Sequence, residues 1–275
     1  MLSAHEFLRA RLSEDTVQKL DGMILAQSPL DLEFLLTYLA SVPRRFRGAP
    51  QTGATLKFNE ILLESATYFE RDLAGAWLLT HSDLFNSETG ALEAGLALYM
   101  SGDAIERRMI LKALPFIGHT ALSQTLIMEG HRSNDQSLFE AAFCDTNHPA
   151  IVLEDDDYQN ATLKAAFINI EASRLWGVES RVTTKLSQML LDLRTEREAA
   201  SRPPWTGTLQ LMAHAPIVGL TDLIADDLIH DDIQRRLGAA RAACVVRDDR
   251  LMSLLTEQLE GCEHAELKAL LTAAL

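Results

Sequence analysis

The stretch Leu186-Ser187-Gln188-Met189-Leu190-Leu191-Asp192-Leu193 decides how the chain is read. Leu186, Met189, Leu190 and Leu193 stand at i, i+3, i+4 and i+7, the stripe of a half-buried α-helix. Leu251, Leu254, Leu255 and Leu259 repeat the pattern near the C-terminus. Start signals agree with it. Asp103 and Glu106 have capping-box spacing, Asn134 is placed to cap the run that follows Ser133, and Ser28-Pro29 puts a cap before a proline. No Asn-Gly or Asp-Gly hairpin turn and no long alternating strand is visible. These signs predict an all-α, multi-helical chain of about a dozen helices or a few more. Short antiparallel pairs point to an irregular α-α superhelix of HEAT or armadillo type, although no fixed-period repeat stands out.

Residues 1–275 read as one continuous helical domain, with a subdomain break open at Ser201-Arg202-Pro203-Pro204. Two longer loops are expected, Pro43 to Thr55 and Thr146 to Asp156. The composition is 47% hydrophobic but only 6% aromatic, which suits helices better than sheets. A net charge of −14 works against binding nucleic acid, since phosphate repulsion would have to be overcome. The short basic run Arg44-Arg45-Phe46-Arg47 reads as a loop tether. Three cysteines, Cys144, Cys244 and Cys262, make an odd set without a Cys-x-x-Cys. Together with an N-terminus lacking signal-peptide character, this predicts a cytoplasmic protein. No uncharged apolar run is long enough to span a membrane.

Several constellations invite a chemical reading. Leu228-Ile229-His230-Asp231-Asp232-Ile233 resembles the start of the aspartate-rich motif of trans-prenyl synthases. Such a site needs a further carboxylate one helical turn on to hold Mg²⁺, and Arg235 stands there instead. Asp231 and Asp232 are better suited to starting the helix that follows, where negative charge meets the dipole. Asp155-Asp156-Asp157 reads the same way. There is no nucleophile elbow, P-loop or dinucleotide fingerprint. No metal site and no cofactor is expected, and no reaction is readable. Arg108 and Lys112 share a helix face, as do Asn160 and Lys164. They could be solvated surface charge, or the cationic walls of a polar pocket near Asn147 and His148.

The chain resembles the EboA family. The resemblance runs through Lys112-Ala113-Leu114-Pro115, Leu138-Phe139-Glu140-Ala141 and Leu163-Lys164-Ala165. It is strongest at Gly177, Arg181, Leu186 and Met189-Leu190-Leu191-Asp192, with Glu196-Arg197 after them, and covers roughly residues 75–245. The family's His-Asn-Pro-Tyr-Pro run is replaced here by Asp145-Thr146-Asn147-His148-Pro149, and its Trp-Asn-Gln run by Tyr158-Gln159-Asn160. The resemblance implies a non-enzymatic bacterial component of secondary-metabolite precursor traffic, acting as helical adaptor or carrier. It also implies partners from one gene cluster: a membrane prenyltransferase-like protein, TIM-barrel proteins and a small-molecule metabolite. The alternatives are an enzyme acting on an isoprenoid or phosphorylated small molecule, and a HEAT-type interaction scaffold without a ligand. The expected binding groove has Asn147, His148, Asn160 and Lys164 at its border, Trp176 and Arg181 beneath or beside it, and Arg108 and Lys112 as cationic walls.

Overall fold

The computed structural model describes residues 3–27, 29–260 and 262–274. It is predominantly α-helical, with seventeen α-helices, four short 3-10 turns and one two-stranded sheet among those residues. The chain packs as two compact units, 1–154 and 155–275, and residues 201–204 lie inside the second.

The first unit is built around the pairing of helix Glu70–Thr80 with helix Ala104–Ile117. Leu73, Trp77, Leu78, Met109, Ile110 and Leu114 are buried in that unit. Helix Thr120–Arg132 packs against helix Gln136–Phe143, and Gly130 permits the approach. A Cβ added there would lie 2.7 Å from the Cβ of Ala142, inside contact distance. The strands Thr55–Phe58 and Ile61–Glu64 form an antiparallel hairpin, with Phe58 paired to Ile61.

The second unit centres on helix Ile233–Val246, packed on by Thr208–Met212, Leu220–Leu228 and Ala265–Ala274. Its buried residues include Gly238, Ala239, Ala240, Ala242 and Ala243, small side chains that let several helices come close. Helix Thr184–Ala199 packs on Asp155–Phe167 and on Thr208–Met212. Its expected stripe is turned inward, with Leu186, Leu190 and Leu193 buried.

The Asp103–Glu106 capping box is present as read. Other expectations need correction. Asp135, not Asn134, caps helix Gln136–Phe143. Asp31 caps helix Leu32–Leu39, so Pro29 precedes the cap rather than opening the helix, while Ser28 lies outside the described residues. The expected 43–55 loop starts inside the short helix Val42–Arg45. The expected 146–156 loop contains helix His148–Val152, started by Pro149 near its N-terminus. The hairpin has no Asn-Gly or Asp-Gly turn to announce it: its two-residue turn is Asn59-Glu60, with Asn59 in the left-handed region at φ 53°.

Candidate functional site

The irregular segment after Phe143 is a brace in the first unit. Its backbone and one side chain extend the hairpin. The Glu64 N–H donates to the Asp145 carbonyl at 2.9 Å, and Asn147 N–H donates to the Leu62 carbonyl at 3.3 Å. The Asn147 side chain completes the join: Oδ1 accepts from the Leu62 N–H at 2.7 Å, and Nδ2 donates to the Glu60 carbonyl at 3.2 Å. An amide both donates and accepts, so one residue satisfies a strand N–H and a turn carbonyl. His148 is buried next to this join. Its Nε2 lies 3.1 Å from Ser123 Oγ, and its Nδ1 is buried without a hydrogen-bond partner. Burial pushes the imidazole down to about 4, so the ring is neutral at physiological pH.

Arg108 and Lys112 come together in the same unit, over residues 67–72. Lys112 is only 4% exposed. Its Nζ donates to Thr67 Oγ1 at 2.9 Å and lies 4.6 Å from the centre of the Tyr68 ring. Burial pulls the ammonium down to about 8, while the negative charges of Asp72 and Asp145 oppose that shift. Arg108 donates from Nη2 to the Thr67 carbonyl at 3.2 Å and stands 3.8 Å from Asp72. Asp72 is fully buried, caps its helix through the Phe69 N–H at 2.9 Å, and leaves Oδ1 without a hydrogen-bond partner. Lys112 is therefore not solvated surface charge. It belongs to a buried ionic cluster that reaches the irregular segment through Asp145.

The other four expected residues belong to the second unit. Asn160 is exposed, while Lys164, Trp176 and Arg181 are half-buried. Burial lowers the Lys164 ammonium from its ordinary range. Arg181 donates from Nη2 to Asp155 at 2.7 Å and lies 4.9 Å from the centre of the Tyr158 ring. It anchors the first turn of helix Asp155–Phe167, which is acidic as expected.

The second unit also has a feature that the sequence reading missed, a cavity of about 400 Å³. Arg194, Arg197, Trp205, Asp227, Arg235 and Gly238 are among its lining residues. Arg194 and Asp227 are buried and joined by two bonds, at 2.8 and 2.9 Å. Arg235 bonds to the same carboxylate, and Glu198 lies 3.1 Å from Arg194 and 3.2 Å from Arg235. Burial works against the Arg194 charge, but pairing with Asp227 and Glu198 outweighs it and holds the guanidinium above its ordinary range. Trp205 is buried, with Nε1 donating to the Ile170 carbonyl at 2.7 Å. Gly238 lets helix Ile233–Val246 approach the opposite wall, since a Cβ there would sit 2.8 Å from the Thr206 carbonyl.

Arg235 thus has a positive role. In the sequence it only spoils an aspartate-rich motif; in the structure it neutralises Asp227. Asp232 is the N-cap of helix Ile233–Val246 and accepts from the Gln234 N–H at 2.8 Å. Among the described residues, no group of three or more His, Cys, Asp or Glu side chains is placed to hold a metal ion. No helix among them is long and apolar enough to cross a membrane.

Residues 74–210 match the family described as Metabolite traffic protein EboA. No curated protein and no solved structure matches the chain significantly.

Proposed function

The chain belongs to the EboA family over residues 74–210, a family of metabolite traffic proteins, and from that membership we propose a non-enzymatic cytoplasmic carrier of a small metabolite. The observation that carries this reading is the cavity walled by Arg194, Arg197 and Trp205. At about 400 Å³ it falls in the size range of small-molecule sites, which runs from roughly 300 to 1,000 Å³. Its composition fits binding better than turnover. An aromatic wall and guanidiniums supply contact area and orientation, and the buried carboxylate Asp227 is held by two arginines rather than poised to move a proton. Asn147 and the Arg108–Lys112 cluster serve to hold the first unit rigid. In this reading the carried molecule is passed to or from a membrane prenyltransferase-like protein and TIM-barrel proteins of the same gene cluster.

Native mass spectrometry of the chain purified from its own host tests the proposal. The expected result is a retained small molecule that is lost in Thr206→Trp, which fills the cavity from its exposed rim. Protein that leaves its host empty, or a retained molecule unaffected by Thr206→Trp, would overturn it.

A further inference from the structure

The cavity of the second unit has one guanidinium that its ion pairs do not use. Arg194 and Arg235 share Asp227 and Glu198, two cations against two anions. Arg197 stands outside that network. Its guanidinium donates to two backbone carbonyls, Pro203 at 2.8 Å and Phe167 at 3.4 Å, and pairs with no carboxylate among the described residues. Backbone carbonyls orient a guanidinium without removing its charge. Arg194 adds a second unspent group: it is 3% exposed, it lines the cavity, and its Nε–H is buried without a hydrogen-bond partner.

Glu171 and Asp232 also line the cavity, so its three guanidiniums face three carboxylates, and what singles out Arg197 is that no carboxylate among the described residues pairs with it. Asp232 is engaged at the start of its helix, accepting from Gln234 N–H. Glu171 is exposed, where water and salt screen its field. Guanidiniums recognise planar carboxylates and phosphates through paired N–H groups. Trp205, Leu209 and Pro203 give the same cavity an apolar wall.

Resting on the carrier reading above, we propose that this cavity takes a small amphiphilic anion, with its carboxylate or phosphate at Arg197 and its apolar body against Trp205. A neutral amphiphile would leave the buried Arg194 Nε–H without a partner, which penalises binding even when the shape fits.

The test titrates the full chain with three probes that share one ring system: 2-naphthoate, 2-naphthyl phosphate and the neutral 2-naphthamide. Calorimetry should show at least one anion binding about tenfold or more tightly than the amide, the scale of one charged hydrogen bond. The stronger of the two anions identifies the head group. Arg197→Gln should erase the preference, Arg197→Lys should restore part of it, and added salt should weaken the anion but not the amide. The salt series needs no variant, so it holds even if Arg197→Gln misfolds. Equal binding of anion and amide, or an anion preference that survives Arg197→Gln in folded protein, would overturn the inference. A neutral molecule retained from the host would also overturn it while leaving the carrier reading intact. A host-purified chain with nothing bound, combined with a clear anion preference in titration, would overturn the carrier reading alone.

Discussion

Arg194 and Asp227 meet as a buried two-pronged pair: Nη1 donates to Oδ2 at 2.8 Å and Nη2 to Oδ1 at 2.9 Å. The pair ties helix Thr184–Ala199 to helix Leu220–Leu228 across the cavity wall. Both groups have left water, and removing Asp227 leaves two guanidiniums, Arg194 and Arg235, against Glu198 alone. Asp227→Ala should destabilise the chain by about 3–5 kcal/mol, whereas the double change Arg194→Met with Asp227→Leu should cost much less. Urea unfolding with an unchanged slope measures both. A small loss in Asp227→Ala would mean that the pair is hydrated rather than buried.

Lys112 makes stability depend on alkaline pH. Its ammonium is lowered from an ordinary 10.5 to about 8, so between those values the unfolded chain binds a proton that the folded chain has released. Stability therefore rises with pH across that window, and the gain is fully present only above the unfolded value. It is lost again as pH falls through about 8. The contribution is about 3 kcal/mol. Lys112→Met should remove this slope. Unfolding free energies at several pH values for both proteins, compared by difference, would show a flat line if Lys112 were in contact with water.

His148 does the same at the acid end. The imidazole is neutral in both states above 6.5, and the folded form resists protonation until about 4. As pH falls through that interval the unfolded chain takes up the proton first, so about 3 kcal/mol of stability disappears. His148→Gln should flatten the acid limb of the stability curve, measured from pH 4 to 7. A limb that stays as steep would place the sensitive group elsewhere.

The helices were legible because their signal is local. Leu186, Leu190 and Leu193 repeat within two turns, and the inward stripe follows from spacing alone. The shared face of Arg108 and Lys112 was legible for the same reason. The burial of that face was not, because the groups that cover it lie far away in sequence. Thr67 is 45 residues before the Lys112 it pairs with. The cavity was hidden in the same way: Arg194 and Asp227 are 33 residues apart, and no pattern links them before the helices pack. The hairpin was missed because each strand is only four residues long and its turn lacks glycine. What sequence could have offered is the single Asn59 at the only two-residue gap between Thr55–Phe58 and Ile61–Glu64, too weak a turn signal without the fold.

Asn147 separates loop bracing from recognition. Its Oδ1 accepts the Leu62 N–H and its Nδ2 donates to the Glu60 carbonyl, so the side chain fastens the irregular segment to the hairpin. Asn147→Ala leaves the Leu62 N–H and the Glu60 carbonyl to find water and should cost about 1–3 kcal/mol. Asn147→Asp keeps the acceptor for Leu62 but sets a carboxylate oxygen against the Glu60 carbonyl, so it separates the two halves of the joint. Hydrogen exchange at the Leu62 amide reports the joint directly. It should quicken in Asn147→Ala and stay slow in Asn147→Asp, while the Glu64 amide, held by the Asp145 carbonyl, changes less in both. A small molecule bound in the cavity of the second unit should bind folded Asn147→Ala with unchanged affinity, since every lining residue of that cavity belongs to the second unit and Asn147 to the first. Exchange at Leu62 that ignores both substitutions would show that the backbone pairing alone holds the hairpin. Affinity that collapses in folded Asn147→Ala would instead move the recognition surface to the irregular segment, where the sequence first placed it.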